Sequence, residues 1–188
     1  MAQKINKCNF GDKRLRAELI LEDTSAQLRL EDTASGRTIG RSSLLVMEIC
    51  DVRMPRVEYH AGCRVMEAER TADGAHITVY DQLREVYLGL WLSVRDGELR
   101  VVIPPAEMRE GRGELFRIFA VVLLPGLMRA GADGAVLIPL QSGCVFSPSG
   151  QPEISERFMI YGEQERWELN AMLPVCAAKG PDGGVMAM

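Results

Sequence analysis

Along most of this chain apolar and polar residues alternate with a period of two, the pattern of strands that bury one face. It is clearest over 86–94. Val86, Leu88, Leu90, Leu92 and Val94 fall on one side, and Tyr87, Gly89, Trp91 and Ser93 on the other. Asp96-Gly97 follows as a two-residue hairpin turn, and 98–103 reads as the return strand, ended by Pro104-Pro105. Upstream, 63–71 and 75–83 are predicted strands joined at Ala72-Asp73-Gly74. These four runs predict an antiparallel meander. Nearer the start, Leu15–Leu21 is a short apolar-rich strand, and 27–31 places Leu28 and Leu30 on one face. The turn residues Asp32-Thr33-Ala34-Ser35-Gly36 predict that this strand folds back onto 37–39.

The second half carries the same rhythm. Residues 108–113 are charged and contain glycine, and read as a loop. The run 115–124 is nearly all apolar in its second half, which predicts a strand covered on both faces. Gly131-Ala132-Asp133-Gly134 turns the chain into a strand at 135–140, and 158–161 is a further short strand. Residues 163–170 read as a helical turn or an irregular loop. The runs 172–176 and 184–188 read as strands flanking Gly180-Pro181-Asp182-Gly183. The predicted fold class is all-β: a large antiparallel β-sandwich with few or no helices, in one domain spanning 1–188. The sequence stops inside an apolar strand, which raises the expectation of an N-terminal fragment of a longer chain.

Composition narrows the function classes. The 188 residues hold 22 Lys+Arg against 26 Asp+Glu, a formal net charge of −4 with no basic block. That argues against nucleic acid or an anionic membrane as the main partner. The most apolar run, 118–124, falls far short of the roughly 20 residues of a transmembrane helix. The N-terminus has lysines but no apolar signal region, so a cytoplasmic location is expected. Five widely spaced cysteines without a C-x-x-C pair do not read as a zinc site and are expected to be free thiols. No cofactor is expected.

A family resemblance rests on the tail. Val122-Leu123-Leu124-Pro125-Gly126 precedes Asp133-Gly134-Ala135-Val136-Leu137-Ile138-Pro139-Leu140-Gln141-Ser142-Gly143; then come Met172-Leu173-Pro174-Val175 and Asp182-Gly183-Gly184-Val185-Met186-Ala187. This arrangement resembles the N-terminal β-supersandwich, a galactose-mutarotase-like domain, of multidomain glycosidases such as the endo-alpha-N-acetylgalactosaminidases. The segment Leu28-Arg29-Leu30-Glu31-Asp32 with Gly36-Arg37-Thr38 fits that family's opening hairpin. Leu140-Gln141, Cys144 and Val145 depart from the family pattern. The resemblance implies a carbohydrate-associated, non-catalytic β-domain that supports a downstream glycoside hydrolase barrel absent from this chain. A stand-alone glycan-binding module and a protein-interaction β-domain are the alternatives.

Candidate chemistry follows from the polar side of the meander. Tyr87 and Trp91 are four residues apart on one strand face, roughly 13 Å at ~3.3 Å per residue. Tyr80 shares a face with His76, Thr78 and Gln82. If the two strands pair face to face, the sheet carries an aromatic and polar surface of the kind that stacks on sugar rings. Trp91, Tyr87 and Tyr80 are therefore the carbohydrate-contact candidates, joined by Trp167 in a charged segment. His60 and His76 are the available histidines and are expected to be structural or solvated. Glu163, Glu165 and Glu168 read as a solvated face, and Arg109 to Glu114 as a charged loop. No residue is assigned as catalytic or metal-binding.

Overall fold

The computed structural model describes residues 6–22, 25–54, 56–60, 64–127, 129–138, 143–147, 149, 175–180 and 183–188, with 56–60 described by backbone alone. It is nearly all strand, and its helical content is one 3-10 turn among the described residues. Internal contacts group it into two compact units, Met1–Gly126 and Leu127–Met188.

The first unit opens with a four-stranded antiparallel sheet of β1 (Lys7–Gly11), β2 (Leu15–Leu21), β3 (Ala26–Asp32) and β4 (Thr38–Ser43), in chain order. Alternation decides which side is buried: Cys8, Phe10, Leu15, Ala17, Leu19, Leu21, Leu28 and Leu30 all point inward. The outward side is a charge ladder. Glu18 pairs with Lys7 and with Arg29, and Glu31 pairs with Arg16 and Arg29. Between β2 and β3, Glu18 stands directly opposite Arg29 and Arg16 directly opposite Glu31, so unlike charges face each other there.

The second sheet contains the predicted meander, extended by one strand. β7 (Arg64–Arg70), β8 (Gly74–Asp81), β9 (Val86–Arg95) and β10 (Glu98–Val102) pair in order. The hairpin at Asp96-Gly97 has positive φ at both residues, 57° and 81°, the backbone of a type I′ turn. Ile77, Val79, Val86, Leu88, Leu90, Leu92 and Val94 form the inner face. That face packs on the first sheet, where β1 and β2 meet β8, β9 and β10. Two sheets sharing one apolar interior make a sandwich. The β1–β2 turn also reaches across: the Gly97 amide donates to Asp12 Oδ2 at 2.7 Å.

Residues 108–113 do not form a simple loop. Met108–Glu110 is a strand, β11, which pairs with the first half of β9. β10 covers only the second half of β9, from Trp91 to Arg95, so the first half offers free backbone groups. The chain leaves β10 at Pro104, makes a 3-10 turn over Pro105–Glu107, and returns to occupy that edge.

The third sheet has order β12-β5-β6, from β5 (Leu45–Asp51), β6 (Arg56–His60) and β12 (Phe116–Leu123). Here the apolar run 115–124 departs from its expectation. β12 pairs on one side with β5, and Phe119 is 58% exposed. Among the described residues it is an edge strand, and it is not covered on both faces. The Glu110 carboxylate accepts the Ile118 amide at 2.7 Å, so a side chain satisfies one edge donor in place of a neighbouring strand.

The second unit holds a four-stranded sheet of order β14-β13-β15-β16, from β13 (Ala135–Ile138), β14 (Cys144–Phe146), β15 (Cys176–Gly180) and β16 (Gly183–Ala187). The pair β15–β16 turns at Gly180 and Gly183 as expected, but its first strand is Cys176–Gly180 and not 172–176, of which 172–174 lie outside the described residues. The expected strand at 158–161 and the segment 163–170 lie outside the described residues. Among the described residues no helix is long and apolar enough to cross a membrane.

Candidate functional site

The outer face of β8 and β9 brings the predicted aromatic residues together. Register is the cause. Tyr80 stands opposite Tyr87, Thr78 opposite Gly89, and His76 opposite Trp91. Directly opposed residues in an antiparallel pair share a face, so two ring pairs form. Tyr80 and Tyr87 stack with centroids 4.2 Å apart and planes 21° from parallel. His76 and Trp91 stack at 4.3 Å and 27°. Trp91 remains 42% exposed.

Between the two pairs lies a residue that the sequence pattern did not single out. Glu107 sits in the 3-10 turn after Pro104-Pro105 and folds back over the sheet. Its Oε1 accepts the Trp91 indole N–H at 2.8 Å, and its Oε2 lies 2.7 Å from His76 Nε2. The indole bond, then the His76 contact, hold the Glu107 carboxyl below its ordinary pKa, against a smaller opposing effect of burial. An ionised carboxylate only accepts. Nε2 of His76 is therefore the donor, and in the neutral ring Nδ1 keeps its lone pair.

Gly89 makes this arrangement sterically possible. A Cβ built on Gly89 would stand 1.9 Å from Glu107 Oε2 and 2.8 Å from its Cβ. The glycine is a floor on which the carboxylate lies. The face thus runs from a tyrosine pair, over a carboxylate resting on backbone, to a histidine–tryptophan pair.

The tyrosine end has its own electrostatics. The Tyr80 hydroxyl is pushed up to about 12, first by its hydrogen bond with Tyr87, then by burial and by the nearby negative charge of Tyr87, Glu85 and Asp81. The Tyr80 phenol is neutral over the physiological range and acts as a hydrogen-bonding group, not as a base.

The remaining candidates are placed elsewhere. Trp167, Glu163, Glu165 and Glu168 lie outside the described residues. His60 falls at the end of β6, apart in sequence and sheet from His76. The charged stretch after Glu107 divides its roles: Glu110 pairs with Arg117 and with the Ile118 amide, while Arg112 lies over the Phe116 ring at 5.8 Å. Cys8 and Cys50 are free thiols, and burial raises the Cys8 pKa. Among the described residues no group of three or more His, Cys, Asp or Glu side chains is arranged to hold a metal ion.

The architecture places the first unit in a broad class: an antiparallel all-β sandwich with an aromatic and polar outer face. Comparison with protein-family models, curated proteins and solved structures gave no match.

Proposed function

We propose that this chain is a carbohydrate-associated β-sandwich domain, and that the outer face of β8 and β9 is its sugar-contacting surface. One observation carries the reading. Trp91 is a large, exposed ring whose indole N–H is bound to Glu107 and whose plane is set by His76. An aromatic plate held in this way stacks on the apolar face of a pyranose without losing side-chain freedom on binding. Glu107 Oε1 and Oε2 keep lone pairs for sugar hydroxyls, and Thr78 adds a hydroxyl on the same face.

In this reading the domain has no bond-breaking role of its own. It supports a glycoside hydrolase domain supplied elsewhere in a longer protein, as the family resemblance suggests. The test is a glycan array on the purified chain, repeated with Trp91→Ala. Binding that disappears with the indole supports the reading. Binding unchanged by Trp91→Ala, or no glycan bound at all, counts against this face.

A further inference from the structure

We infer that the Trp91 end of this face takes the protonated amine of an amino sugar. The inference rests on the sugar-contact reading and specifies its ligand class.

Strand register places more charge around the indole than its hydrogen bonds reveal. β7 runs beside β8, with Glu69 opposite His76 and Glu67 opposite Thr78. Both glutamates therefore share the outer face with the His76–Trp91 stack. With Glu107 they bring three carboxylates to one end of the face. The nearest arginines on that side are already engaged: Arg95 with Asp73, and Arg100 with Glu98. Arg64 and Arg109 lie opposite Tyr80 and Tyr87, in the row at the far end. Tyr87 is four residues from Trp91 along β9, roughly 13 Å. The indole end of the face is acidic.

A cation is the ligand group that suits the acidic end. The negative π-face of an indole attracts an ammonium group, and a carboxylate beside it adds a charge-assisted hydrogen bond. An acetylated amine loses the charge. A uronate would bring a fourth carboxylate to the three already present.

The experiment follows the Trp91 indole NMR signal of the whole chain, assigned with Trp91→Phe. It is titrated with glucosamine oligomers, N-acetylglucosamine oligomers and galacturonic acid oligomers, at a pH where the free amine is protonated. The glucosamine oligomer should bind about tenfold tighter than its acetylated counterpart, with the uronate weakest. Glu107→Gln should remove most of that margin. So should the double change Glu67→Gln and Glu69→Gln, which leaves the indole bond in place and guards against a folding effect. Equal affinity for the amine and acetylated forms, or tighter uronate binding, overturns the charge inference while leaving the sugar face standing. No change of the indole signal with any of the three overturns the sugar-face reading together with it.

Discussion

Glu107 occupies the space that a side chain at Gly89 would need: Oε2 of the one lies 1.9 Å from where a Cβ of the other would stand. The two residues belong to different elements, a 3-10 turn and the middle of β9. Their contact makes the indole of Trp91 and the imidazole of His76 neighbours of one carboxylate.

Gly89→Ala should therefore expel the Glu107 carboxylate from the face. The Trp91 indole N–H would lose its acceptor, move upfield in a proton–nitrogen correlation spectrum and exchange faster with solvent. An unchanged indole signal in a folded Gly89→Ala protein would contradict the assignment of Gly89 as the floor of the site.

Leu90 is fully buried one residue further along and faces the opposite side. Leu90→Ala should cost about 2–5 kcal/mol in a denaturant melt, as for other large-to-small changes in a packed interior. Trp91→Ala, on the outer face, should cost much less, because nothing in the sandwich interior packs against that ring. Similar losses for the two would mean the outer face is not a surface.

The phenol pair gives a spectroscopic test. With Tyr80 at about 12, its ionisation in a UV–pH titration should lag behind that of ordinary tyrosines. Tyr87→Phe removes the largest cause and should bring the Tyr80 midpoint down. Because the folded value is raised, this contribution to stability is complete below the unfolded value of about 10 and is lost as pH rises through about 12.

Asp51, at the end of β5, behaves in the opposite sense. Its carboxyl is held at about 2, chiefly by the hydrogen bond from the Arg53 side chain. The value is depressed, so any stability it contributes is present above the unfolded pKa of about 3.9 and fades as pH falls towards 2. Carboxyl carbon NMR should show the low midpoint in the native chain and a higher one in Arg53→Gln.

Asp12 joins two hairpins, accepting the amides of Arg14, Leu15 and Gly97. In Asp12→Ala the Gly97 amide should lose protection in hydrogen exchange, while amides in the middle of β9 keep theirs. Uniform loss across both would show that Asp12 acts on the whole fold and not on this junction.

Much of the architecture was legible from period-two patterning alone. Leu15–Leu21 and 86–94 alternate so regularly that a single strand face is the only way to bury their leucines and valines. The Asp96-Gly97 turn was equally legible, because few dipeptides accept positive φ at both positions. β1 escaped notice because Lys7-Cys8-Asn9-Phe10 offers only two apolar residues, too few to stand out. β11 escaped because Met108–Glu110 has no pattern of its own and exists to fill an edge of β9. β12 misled because an apolar run measures hydrophobicity, not the number of neighbours the strand will have.

The candidate site divides in the same way. Local pattern determined that Tyr80, Tyr87 and Trp91 lie on polar strand faces, since side-chain direction in a strand follows from parity. Only the tertiary structure decided which rings meet, because register between β8 and β9 depends on turn geometry as well as on alternation. And only the tertiary structure brought in Glu107, which lies 16 residues from Trp91 and 31 from His76. A carboxylate that reaches its partners by a chain reversal leaves no periodic trace in sequence. Its position is fixed by a proline-led turn, a free strand edge and the missing side chain of Gly89.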